Sequence, residues 1–127
     1  MPAFRVDIRA VEIGEGVQEL SLDIDGQVTK FTPGSNTAVT VNWPPTRLSS
    51  QIRVQTVPAS TPQTFEGTWA LFRMFDRFEV QPTRQSEKFN VLMNLDGKRV
   101  RLEVTASSAF NPFRLREVQQ FRCPNAL

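Results

Sequence analysis

The chain has 127 residues, 39% hydrophobic and 22% charged, with a formal net charge of +2; that is one domain's worth of chain, able to bury roughly two thirds of the surface it exposes when unfolded. It contains no histidine and one cysteine, Cys123, which removes the commonest acid-base group and metal ligand, a structural zinc site and an internal disulfide. No apolar run approaches the ~20 residues that span a bilayer, and the first residues, Met1-Pro2, read as an artificial start or as a domain cut from a longer chain.

Taken in chain order, the alternation Phe4, Val6, Ile8, Ala10 predicts a strand up to Ile13, broken by Gly14 to Gly16. Leu20, Leu22 and Ile24 alternate next, and Asp25-Gly26 is the pair a two-residue hairpin turn prefers, with Val28 to Thr32 returning. After the turn Pro33 to Asn36, the β-branched stretch Thr37 to Trp43 predicts another strand, ended by Pro44-Pro45, and Gln51 to Val57 predicts a further one. Ala59 to Thr64 and Gln81 to Ser86 read as polar loops.

Between those loops lies the one strongly helical pattern, Gly67 to Phe78. Leu71, Met74, Phe75 and Phe78 fall at i, i+3, i+4 and i+7, giving an apolar stripe, with Thr68 placed to cap the start. So short a helix does not fold alone, so the stripe has to be buried against the sheets. Trp69 and Phe72 point off the stripe, toward a neighbouring strand or a surface groove.

Asp96-Gly97 predicts a second hairpin, whose register pairs Met93 with Val100, Val91 with Leu102 and Phe89 with Val104 on one face. The opposite face then carries Asn94 with Arg99, Leu92 with Arg101 and Asn90 with Glu103. Asn111-Pro112 reads as an N-cap and first turn, predicting a short helix over Phe113 to Val118, with Cys123-Pro124 stopping it. No internal repeat or linker divides the chain. The expected fold is mainly β: a single-domain β-sandwich of about seven strands with one central amphipathic helix and a short C-terminal helix.

Several residues admit a plain and a functional reading. Trp43 plugs the sandwich end or forms an exposed stacking platform. Arg114, Arg116 and Arg122 are a solvated helix face or an anion site, and Cys123 is a small buried hydrophobe. Two carboxylates suffice for glycoside hydrolysis, but Asp23 with Asp25 and Glu12 with Glu15 fall on strands and turns, where such residues serve turn chemistry and solvation. No nucleophile with its base, no phosphate-cradling loop and no metal-ligand cluster is present in the pattern. Twelve of the fifteen cations are arginines, interspersed with acids rather than forming a basic stripe, which favours a protein partner over nucleic acid.

The ordered set Asp25-Gly26-Gln27, Trp43-Pro44-Pro45, Gly67-Thr68-Trp69-Ala70-Leu71-Phe72-Arg73, Asn111-Pro112-Phe113 and Phe121-Arg122-Cys123-Pro124 resembles the C-terminal domain of the IcmF/TssM proteins, inner-membrane components of bacterial type VI secretion systems. Where that family tends to have Trp-Pro-Gly and Gly-Pro-Trp, this chain has Trp43-Pro44-Pro45 and Gly67-Thr68-Trp69. The resemblance implies a periplasmic β-domain of a long membrane protein that docks onto the outer-membrane lipoprotein TssJ, alongside other copies of the parent protein. It also implies no enzymatic activity, no cofactor and no membrane insertion by this segment. The matched residues are those of turns and packing and do not point to the partner surface. The weak candidates for that surface are Trp43, Arg47 and Arg53, which flank the Pro44 to Ser50 connection. A carbohydrate-binding β-sandwich is the alternative.

Overall fold

The chain, described by a computed structural model over residues 4–43, 50–85 and 87–106, folds as two antiparallel sheets with a helix inserted at their opening. The elements are β1 (Phe4–Ile13), β2 (Glu19–Ile24), β3 (Gln27–Phe31), β4 (Ala38–Trp43), β5 (Ser50–Val57), β6 (Gln63–Gly67), α1 (Ala70–Arg77), β7 (Glu79–Pro82), β8 (Lys88–Leu95) and β9 (Lys98–Ala106). One sheet has the order β4-β1-β9-β8-β7 and the other β3-β2-β5-β6.

Alternation along each strand decides which side chains meet. Val6, Ile8, Phe89, Val91, Leu102 and Val104 of the five-stranded sheet share one core with Leu20, Leu22, Ile52 and Val54 of the four-stranded sheet, and none of them is more than 1% exposed. Each such side chain contributes about 1.5–3 kcal/mol relative to solvent. The β8–β9 register is the expected one, including Met93 opposite Val100 and Phe89 opposite Val104. In β1 the alternation is interrupted by a bulge between Ala10 and Glu12, which turns Val11 out to 44% exposure.

The two hairpins are built alike, from Asp23-Ile24-Asp25-Gly26 and Asn94-Leu95-Asp96-Gly97. In each, the first side chain accepts the N–H of the glycine three residues on, at 2.8 Å to Asp23 and 2.7 Å to Asn94. Asp25 and Asp96 adopt φ of 53° and 56°, the left-handed conformation that acidic and amide residues tolerate and that two-residue hairpin turns need. Their carboxylates then reach outside the hairpin. Asp25 accepts the Gln51 N–H at 2.8 Å and the Ser50 hydroxyl, fixing the start of β5. Asp96 accepts the Thr61 N–H at 2.6 Å, tying the β8–β9 hairpin of one sheet to the β5–β6 loop of the other.

The helix carries the chain from β6, an outer strand of one sheet, to β7, an outer strand of the other. Leu71, Met74 and Phe75 are fully buried, and Phe75 packs edge-on against Phe89 with ring centroids 5.3 Å apart. The expected cap is corrected: Trp69, not Thr68, is the N-cap residue, and its side chain makes no capping bond. Gly67, at φ 113°, is in a conformation that disfavours any side chain and swings the chain out of β6. Burial of the stripe then sets where the first turn begins, and capping chemistry does not. Phe78 ends the helix in extended conformation, half-buried and 6.3 Å edge-on to Phe65.

The β-sandwich is as expected, with nine strands among the described residues where about seven were predicted. The additional ones, β6 and β7, begin or end inside the segments read as polar loops. Phe65 is the one large apolar side chain of β6, and β7 is four residues ending in Pro82. Outer strands pair on one side only, so the neighbouring strand can impose what their own pattern does not encode. The C-terminal helix expected over Phe113 to Val118, with Arg114, Arg116, Arg122 and Cys123, lies outside the described residues.

Gly14 donates its N–H to the Arg99 carbonyl at 2.7 Å, and a Cβ built on it would stand 2.6 Å from that same oxygen. Gly14→Ala is therefore expected to displace the end of β1 from β9 and to destabilise by about 1–3 kcal/mol, read as a lower denaturant midpoint. A second expectation concerns Asp96. The Thr61 backbone N–H, aided by the Thr61 hydroxyl and by Lys98, holds its carboxyl below the usual carboxylate range. A depressed folded-state pKa stabilises above the unfolded value and loses that contribution as pH falls through the folded one. Wild-type stability should thus fall below about pH 4 more steeply than that of Asp96→Asn, whose side chain does not titrate; parallel pH profiles would contradict this.

Candidate docking interface

The period-two alternation that buries Ile52 and Val54 turns Gln51, Arg53 and Gln55 of β5 outward. Register places Arg53 between Asp23 of β2 and Thr64 of β6. Around it stand Ser21, opposite Gln55, and Gln51, which donates to Glu66 Oε1 at 2.7 Å, with the exposed Lys30 beyond Ser21. Asp23 is engaged by the Gly26 N–H, and Arg53 has no ion pair among the described residues. The outer face of the four-stranded sheet is thus largely polar, with one exposed guanidinium near its middle. Its borders carry Val28, 50% exposed on β3, and Val57, 41% exposed at the end of β5. An exposed guanidinium, able to form two parallel hydrogen bonds, is suited to anchoring a protein surface. The outer strands β3 and β6 add unpaired edges that an incoming strand could extend.

Of the residues singled out from the sequence, Arg53 stands on this face. Trp43 ends β4, paired with Phe4, in the other sheet; its side chain and Arg47 lie outside what is described. The pair Trp43 and Arg53 therefore belongs to different sheets, on either side of the 44–49 connection. Trp69 is the aromatic that the structure leaves 45% exposed, packed against Phe72 at 5.5 Å with the rings tilted by 49°. Its signal in the sequence was the position off the helical stripe.

Three of the four carboxylates in those pairs are taken up in structure. Asp23 and Asp25 hold the β2–β3 hairpin and the start of β5, and Glu12 accepts from Arg101 Nη2 at 3.0 Å. Among the described residues no group of three or more metal-ligating side chains gathers, and no helix is long and apolar enough to cross a membrane.

A family model described as the type VI secretion protein IcmF C2-like domain matches residues 6–108. The type VI secretion system component TssM1 of Pseudomonas aeruginosa is 30% identical over 130 residues, which cover 99% of this chain and 12% of that protein. The chain thus spans about an eighth of the curated relative. Among solved structures, the TssM C-terminal domain from EAEC superimposes with a TM-score of 0.66 at 14% identity, over 89% of this chain and 49% of that one. A chain of a type VI secretion system membrane core complex gives 0.70 at 13% identity, over 94% of this chain and 26% of that one. The β-sandwich with its inserted helix is the fold these structures share. The chain belongs to the IcmF/TssM family of type VI secretion proteins, as the C2-like domain of their C-terminal region.

Proposed function

We propose that this domain is a non-enzymatic docking module of the type VI secretion membrane complex, which grips the outer-membrane lipoprotein TssJ in the periplasm. Family membership supports the assignment to that complex, since one similar solved chain is part of a membrane core complex. The observation that carries the docking role is the outer face of the four-stranded sheet, where Arg53, exposed and without an ion pair among the described residues, stands among polar side chains. Arg53 on β5 is the candidate contact that the structure describes, and Arg47 and Trp43 are carried with it as candidates from the sequence. Other copies of the parent protein in the same complex are the second class of partner.

The alternative of a carbohydrate-binding sandwich draws on the exposure of Trp69. Sugar platforms present rings in one plane, whereas Trp69 and Phe72 meet at 49°, so this pair supplies no flat platform. Docking is the better fit.

The test is co-purification of the domain with TssJ, followed by size-exclusion chromatography and titration. The wild-type domain is expected to co-migrate at micromolar concentration. Arg47→Ala with Arg53→Ala is expected to weaken binding about tenfold or more if the two act as anchors. Unchanged affinity removes this patch, and failure of the wild type to co-migrate overturns the docking assignment.

A further inference from the structure

The five-stranded sheet carries a second surface that TssJ docking on the opposite sheet leaves unused. A groove of about 1000 Å³ runs along it, from the end of β1 over β9 and β8 to the last turn of α1 and the start of β7, with Gln63 of β6 also in its wall. Strand alternation builds it. Because Val91, Met93, Val100 and Leu102 are buried inward, Leu92, Asn94, Arg99 and Arg101 face out. Register sets Arg101 between Glu12 and Leu92, and Leu92 beside Glu79. Arg77 adds a third guanidinium at the rim; Leu92, half-buried and outward, contributes apolar surface, and Ile13 and Phe78, which pack against the core, line the groove with what they leave exposed.

The cations here have more hydrogen-bonding capacity than the chain itself uses. On the same sheet Arg5 is paired with Asp7 at 3.3 Å and Lys88 with Glu103 at 3.9 Å. At the groove, by contrast, Arg101 alone has an acid, with Nη2 donating to Glu12 Oε1 at 3.0 Å. Its Nε–H is buried with no acceptor among the described residues, an arrangement that is rare in folded proteins and calls for a reason. Arg77 and Arg99 are exposed and have no ion pair among the described residues. Glu79 is already engaged by Gln81 at 3.3 Å.

We propose that this groove binds an acidic peptide segment with an apolar anchor, contributed by another polypeptide. Discrete carboxylates fit between the guanidiniums of Arg77, Arg99 and Arg101, each of which can hold one by paired hydrogen bonds. An apolar side chain of the same segment covers Leu92. The volume is one that a lone inorganic anion would leave mostly empty. Glu12 and Glu79, interleaved with the arginines, repel a continuous phosphate backbone but leave room for separately placed carboxylates. The site is independent of the TssJ patch, so either can fail alone.

The experiment is fluorescence anisotropy of the domain with a labelled Glu-Glu-Leu-Glu-Glu peptide. Saturable binding is expected, weakened about tenfold or more by Arg77→Gln with Arg99→Gln. Both arginines are exposed, so the variant keeps the fold. Arg5→Gln with Arg9→Gln, the same charge change elsewhere on the sheet, is expected to leave affinity unchanged, and replacing the peptide's leucine by serine is expected to weaken it. No saturable binding by the wild type, an equal loss in the Arg5/Arg9 variant, or displacement of the peptide by inorganic phosphate or oligothymidylate as readily as by unlabelled peptide would each overturn the proposal.

Discussion

Burial of Leu71, Met74 and Phe75 between the two sheets is the interaction on which the rest of the molecule depends. The chain changes sheets at this point, leaving the four-stranded one through β6 and entering the five-stranded one through β7. An eight-residue helix has too few internal hydrogen bonds to form on its own. Its stability is borrowed from the sheets, and in return it closes the side where their apolar inner faces would meet water. The contact of Phe75 with Phe89 joins the helix directly to β8. At the β8–β9 hairpin, Asp96 supplies a second tie between the sheets through the Thr61 N–H.

A core closed in this way frees the outer faces from structural duty, and the two differ. On the four-stranded sheet, Arg53 stands exposed among polar and charged side chains. On the five-stranded sheet, Arg77, Arg99 and Arg101 border a groove with apolar walls. Both faces use arginine where a merely solubilising surface would do as well with lysine, and arginine is the cation suited to forked contacts with another molecule. Membership of the IcmF/TssM family gives these faces a setting, the type VI secretion system. The fold by itself would not have assigned that setting.

The parts legible from the sequence were those where local chemistry and global packing agree. Asp25-Gly26 and Asp96-Gly97 announce their hairpins, and once the turn is fixed the pairing of Phe89, Val91 and Met93 with β9 follows without freedom, because a one-residue slip would turn every apolar side chain outward. The stripe of α1 was equally plain. What could not be read was decided by neighbours. β6 and β7 are strands because β5 and β8 offer them an edge, and Trp69 displaces Thr68 as the cap because the stripe must reach the core. The second use of Asp25 and Asp96, as acceptors for Gln51 and Thr61, depends on which loops the fold brings alongside. At the candidate site, the outward direction of Arg53 followed from alternation along β5, whereas the groove arginines come from α1 and β9 and meet only in three dimensions.

The most direct test of the helix as the element that unites the two sheets is the unfolding of Phe75→Ala in a Trp43→Phe background, followed at once by far-ultraviolet circular dichroism and by Trp69 fluorescence. The two signals should change together in a single transition, at a stability lowered by about 3–5 kcal/mol. Early loss of the Trp69 signal, with the sheets unfolding later at wild-type stability, would show that the helix is an appendage and contradict the account.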